Sequence, residues 1–155
     1  MDTIRIDDAD QRVDSATVLR PLTDALNATD VALNYYKLAP GDSFAYGYHA
    51  HAEQEEIFVV QQGVVTFETE AGDIDVEGGE VIRFGPGEFQ QGTNRGEERV
   101  VAFALGAPQT TGGTEIRREC AACGERTPTT VERVDDGQAT ITRCLECGSE
   151  TGRFE

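Results

Sequence analysis

From Val31 onward the sequence is a succession of short apolar runs, rich in β-branched and aromatic residues and each halted by a glycine turn. No other feature constrains the fold as much. VALNYYKLA (31–39) stops at Pro40-Gly41, EEIFVVQQ (55–62) at Gly63, VVTFETE (64–70) at Ala71-Gly72, DIDVE (73–77) at Gly78-Gly79, EVIRF (80–84) at Gly85-Pro86-Gly87, and ERVVAFAL (98–105) at Gly106. Short strands at this spacing, with no long helical period between them, predict an all-β sandwich or barrel over residues 31–106. Residues 1–30 are weakly patterned and are expected to pack on the barrel as an N-terminal extension, with a short helix over 21–28. Residues 107–115 are small, polar and glycine-bearing and read as a linker. Residues 116–155 form a second, small module.

That module carries the four cysteines of the chain, as Cys120-x2-Cys123 and, after twenty intervening residues, Cys144-x2-Cys147. Paired thiolates at this spacing suit a tetrahedral zinc ion. In a cytoplasmic chain they point to metal rather than disulfides. Each pair is followed by a glycine, Gly124 or Gly148, as expected where a metal-binding knuckle turns through positive φ. Between the pairs, TTVERV (129–134) and QATITR (138–143) flank Asp135-Asp136-Gly137, a β-hairpin signal. The layout resembles zinc ribbons and, more distantly, rubredoxins, whose knuckles carry a proline that CAACG and CLECG lack. The resemblance implies a structural zinc. With few large apolar side chains among forty residues, the module is expected to need that metal to fold.

The chain has two histidines, His49 and His51. In a strand, positions i and i+2 share a face, so both imidazoles can converge on one ion. Glu56 shares a strand face with Phe58 and Val60. If that face looks into the barrel, the carboxylate requires a partner or a metal. Two His and a carboxylate form a facial set suited to Fe(II), and also to Mn, Ni or Zn.

The spacing resembles the cupin family. Its first motif is a glycine, five residues, His-x-His, three or four residues, Glu, six residues, and Gly. Here seven residues rather than five separate Gly41 from His49, while His49, His51, Glu56 and Gly63 follow the pattern. Its second motif is met by Gly79, Gly87 and Asn94, with Gly85 in place of the proline and Gln90 in place of the histidine. The resemblance implies an antiparallel, jelly-roll type cupin barrel, residues 31–106, holding one divalent metal through His49, His51 and Glu56. Gln90 takes the fourth position, as a weak neutral ligand, the holder of a water, or a position left open. Phe58, Phe67, Phe84 and Phe103 sit at interior-compatible strand positions, as core or pocket wall. Phe44, Tyr46 and Tyr48 precede the histidines, at the expected pocket rim.

Charge limits the partners. Asp and Glu number 29 against 13 Lys and Arg, for a formal net charge of −16, and Lys37 is the single lysine. This is the balance of a halophilic, acidic surface, which repels nucleic acid and anionic membranes. No apolar stretch approaches a membrane span and the N-terminus is polar, so a cytoplasmic protein is expected. Two functional readings follow. One is a metal-dependent cupin acting on a small molecule. The other is a non-catalytic, ligand-sensing cupin whose zinc ribbon docks a partner protein. A homodimer is expected through barrel edges.

Overall fold

The computed structural model describes residues 1–12 and 14–155. Among the described residues thirteen strands follow in chain order: β1 (Val18–Pro21), β2 (Ala32–Leu38), β3 (Tyr48–His51), β4 (Glu55–Gln62), β5 (Val64–Thr69), β6 (Gly72–Glu77), β7 (Val81–Phe84), β8 (Gln90–Thr93), β9 (Val100–Ala107), β10 (Thr114–Cys120), β11 (Glu125–Val134), β12 (Ala139–Cys144) and β13 (Glu150–Phe154). They build two antiparallel sheets, β1-β2-β9-β4-β7 and β13-β12-β11-β10-β3-β8-β5-β6. No helix among the described residues is long and apolar enough to cross a membrane.

The core lies between the sheets and follows strand parity. Phe58 and Val60 of β4, Val100, Ala102 and Ala104 of β9, and Leu38 of β2 face Val65 and Phe67 of β5 and Val76 of β6. Across the β4–β9 pair Phe58 stands opposite Ala104 and Val60 opposite Ala102. Small residues on one strand make room for large ones on the next, which is how a close-packed interior is filled. The outer face of the five-stranded sheet is covered too. Tyr35, Leu33, Val101 and Phe103 pack there against Ile4, Ile6, Leu22 and Leu26 of the N-terminal segment.

Over 21–28 the structure has a single 3-10 turn, Asp24–Leu26. Pro21 is drawn into β1 opposite Asn34, the Thr23 hydroxyl accepts a hydrogen bond from Leu33 N (2.8 Å), and Asn27 ends the turn at φ 49°. Strand pairing at one end and a left-handed residue at the other leave no length for an α-helix.

The segment read as a linker lies along the barrel. Ala52 N donates to Gly113 O and Glu53 N to Thr111 O (both 2.9 Å). The Gln54 amide donates to Pro108 O (2.8 Å) and Gln109 O (3.1 Å). β10 then pairs with β3 in the register Thr114↔His51 to Arg117↔Tyr48. The C-terminal strands therefore continue the larger sheet outward from the strand that carries the histidines. Their hairpin closes at Val134↔Ala139, through Asp135, Asp136 and Gly137, all at positive φ.

Candidate metal centre

Four side chains from three strands, two in the larger sheet and one in the smaller, meet at one end of the barrel. His49 and His51 alternate inward along β3, and Gln90 of β8 pairs directly with His49. Glu56 enters from β4, on the face that buries Phe58. The Glu56 Oε2 lies 3.7 Å from His49 Nε2 and 3.5 Å from His51 Nε2. Gln90 Nε2 donates to the same oxygen at 3.0 Å and lies 3.4 Å from His49 Nε2. The ligand atoms of His49, His51 and Glu56 all fall within 4.8 Å of one another. An ion about 2.0–2.2 Å from each donor needs donors roughly 3.0–3.5 Å apart, so the triangle fits with small adjustments.

The electrostatics suit a cation. Burial pushes the Glu56 carboxyl up, but the His49 and His51 hydrogen bonds and positive charge together outweigh it and hold the carboxyl at about 2. The carboxylate is thus ionised at neutral pH. His49 Nδ1 is 3.0 Å from Gly47 O and donates to it, so Nε2, turned to Glu56, is the nitrogen that can give up its proton to coordinate an ion. Gln90 is 2% exposed, and its Oε1 is buried without a hydrogen-bond partner. An orphaned acceptor beside two imidazoles and a carboxylate is a position for a ligand or an ion.

The free space among them is about 10 Å³, room for roughly one water or ion, and is also lined by Gln54, Phe84, Gly85 and Glu88. That is smaller than the roughly 300–1,000 Å³ of sites for drug-sized ligands. Of the anticipated pocket residues, Phe84 lines it. Phe58 and Phe67 lie in the core with Phe44, ring centroids 4.8–6.0 Å apart. Phe103 lies on the outer face against Tyr35 (5.3 Å), because β9 turns its alanines inward. Tyr48 stacks on Phe89 (5.3 Å), and Tyr46 meets Phe154 of the C-terminal sheet (4.8 Å). Arg83 points outward and pairs with Glu55 (2.5 Å). Asn94, at the end of the second motif, is structural. Its amide donates to Leu38 O (3.0 Å) and Glu98 O (2.8 Å), tying two strand ends together. Sequence reasoning missed Gln54, Glu88 and Thr114. Glu88 shares the parity of Gln90 and so carried a signal, whereas Thr114 reaches the site through a pairing across 63 residues, its Oγ1 being 2.8 Å from His51 Nδ1.

A second cluster lies at the far end of β10. Cys120 Sγ is 3.6 Å from Cys147 Sγ, and Cys123 Sγ is 3.9 Å from Cys144 Sγ. Four sulfurs about 2.3 Å from a tetrahedral ion stand about 3.8 Å apart, whereas a disulfide needs about 2.05 Å. Both knuckles close as expected: Gly124 N donates to Cys120 O and Gly148 N to Cys144 O, each glycine at φ near 75°.

A small antiparallel barrel with an inward His-x-His pair and a carboxylate on the adjoining sheet defines a cupin fold. In agreement, residues 34–106 match the family model described as Cupin domain. Among solved structures, the chain is similar to a sugar phosphate isomerase from a cupin superfamily from Silicibacter pomeroyi, with TM-score 0.62 and 19% identity over 96% of this chain and 91% of that one. It is similar to a conserved protein with a double-stranded β-helix domain from Klebsiella pneumoniae (TM-score 0.60, 16% identity, 74% of this chain and 89% of that one). It also resembles a Cupin 2 conserved barrel domain protein from Salinispora arenicola (TM-score 0.57, 22% identity, 69% and 88%). At these identities the likeness is one of fold. A search of curated proteins finds no match to this chain.

Proposed function

We propose that the protein is a metal-dependent cupin that acts on a small molecule. The observation that carries this reading is the convergence of His49 Nε2, His51 Nε2 and Glu56 Oε2 on one point inside the barrel. A divalent ion held there, Fe, Mn, Ni or Zn by ligand type, supplies Lewis-acid polarisation of a carbonyl or hydroxyl. His49 and His51 bind through Nε2, and Glu56 contributes the one anionic donor. Gln90 holds Glu56 through its amide and presents its free Oε1 as the fourth position. The free space of about 10 Å³ beside these donors has room for an ion or one water, so a substrate would reach the site only with its reactive end. The similar protein from Silicibacter pomeroyi is described as a sugar phosphate isomerase, and carbonyl–hydroxyl chemistry of that kind is compatible with the donor set. No Lys or Arg is among the lining residues, so a phosphate on such a substrate would lie outside the cavity. In the second cluster, Cys120, Cys123, Cys144 and Cys147 hold a structural zinc. Its role is to stabilise the C-terminal strands, which bring little apolar area of their own.

Metal content tests this. Wild-type protein should carry two ions per chain, and His49→Ala with His51→Ala should carry one, with the cysteine-bound zinc retained. Unchanged stoichiometry in the double variant would remove the barrel site.

A further inference from the structure

The two metal-ready imidazoles are oriented by different parts of the chain. His49 is held by Gly47 O from the loop that leads into its own strand. His51 is held by Thr114 Oγ1, the first residue of β10, at 2.8 Å. With Nε2 of His51 turned to Glu56, the proton of the metal-binding tautomer sits on Nδ1 and is donated to the Thr114 hydroxyl.

Thr114 is fixed from both sides. Before it, Gly112 and Gly113 turn at φ 69° and 122°, and a Cβ on Gly112 would fall 2.4 Å from Glu53. After it, β10 runs six residues to Cys120, a span of about 20 Å. Along that run β10 pairs with β3 on one edge and with β11 on the other. One strand thus carries the hydroxyl that orients a histidine at its start and a thiol of the four-cysteine cluster at its end. The hairpin on its outer edge is closed at its base by those thiols.

We propose that Thr114 is a positioning residue for His51, and that through β10 the four-cysteine cluster and the barrel metal centre are energetically coupled. This rests on the metal-binding reading of both clusters. Metal at the cysteines holds the outer edge of β10, which keeps Thr114 against His51 and strengthens metal binding in the barrel. By linkage, metal in the barrel strengthens binding at the cysteines by the same factor. The C-terminal strands thereby act on the site without touching the ion.

The test uses the full chain carrying one equivalent of zinc at the cysteines, titrated with Mn(II). That hard ion favours imidazole and carboxylate over thiolate, and the free ion is read by electron paramagnetic resonance. Wild type is first compared with His49→Ala/His51→Ala. If wild type binds no more Mn(II) than this variant, the barrel metal reading fails and the coupling with it. Where wild type binds, Thr114→Val should weaken Mn(II) roughly 10–100-fold, the scale expected when a partner orienting a ligand is lost. Thr114→Ser should restore affinity to within about threefold. Cys120→Ser/Cys144→Ser should weaken Mn(II) in the wild-type background and add little in the Thr114→Val background. Wild-type affinity in Thr114→Val overturns the positioning role. Fully additive losses, or no loss on removing the cysteines, overturn the coupling.

Discussion

Phe58→Ala separates core from pocket. Phe58 is 1% exposed and meets Phe44 at 4.8 Å, Phe67 at 5.0 Å and Phe84 at 6.2 Å between ring centroids. Truncation strips the ring from the middle of this aromatic group and leaves a cavity between two sheets that cannot close on it. The destabilisation expected is about 3–5 kcal/mol. For a chain of this length each kcal/mol shifts Tm by about 2–4 °C, so Tm should fall by about 6–20 °C. Phe103→Ala removes the same ring from the half-buried outer cluster beneath Ile4 and Ile6 and should cost about 1–2 kcal/mol. Urea and thermal unfolding followed by circular dichroism measure both. Because Phe58 does not line the space around His49 and Glu56, metal stoichiometry in Phe58→Ala should equal that of wild type at temperatures where it is folded. A loss under about 1 kcal/mol, or loss of metal with stability intact, would refute the packing argument and return Phe58 to the site.

Other outcomes follow from charge, edges and thiols. With a net charge of −16, repulsion within the fold weakens as the Debye length shortens, so Tm should rise between dilute buffer and molar KCl; a flat Tm would argue against salt adaptation. Each sheet ends on an open edge, β6 or β7, where Ile74 and Val81 are exposed. Two copies should pair there, and light scattering at high salt should give a dimer mass, a monomer mass being the contrary result. The Thr127 hydroxyl, 3.1 Å from Cys144 Sγ, holds that thiol at about 6 in the metal-free protein, helped by the Cys147 and Glu146 backbone N–H groups. Thr127→Val should move the lowest thiolate midpoint, read by ultraviolet absorbance, upward toward the ordinary thiol range; an unmoved midpoint would mean that the hydroxyl plays no part.

What the sequence disclosed and what it hid divide along the range of the interactions. Strand parity is local, so the shared face of Glu56, Phe58 and Val60 was readable, as were the two-residue step from His49 to His51 and the knuckle glycines. Pairing partners are not local. Nothing near Phe103 distinguishes an inward from an outward phenylalanine. That depends on β9 facing Phe58 and Val60 of β4, which reserves the inner face for Ala102 and Ala104. The polar, glycine-bearing stretch after Ala107 has the composition of a free linker, yet its carbonyls satisfy Ala52, Glu53 and Gln54, donors from the turn that follows the histidines. Its length is set by that path along the barrel, and the path delivers Thr114 to His51.

The charge distribution and the site chemistry constrain each other. Glu56 is ionised and buried and Glu88 stands at the same cavity, while the nearby Arg83 is neutralised outside it by Glu55. The potential at the mouth therefore has the sign of the whole surface, and low-dielectric walls focus it inward. Before any ion binds, such a field draws cations in and repels free anions. On the proposed reading, an anionic group would gain the interior only by exchanging that repulsion for direct coordination to an ion held by His49, His51 and Glu56. Hydroxyl or carbonyl oxygens carry no such penalty, and the unpartnered Oε1 of Gln90 favours a ligand that brings a hydrogen-bond donor. A neutral hydroxyl-bearing group, or a water on such an ion, would meet both conditions at once.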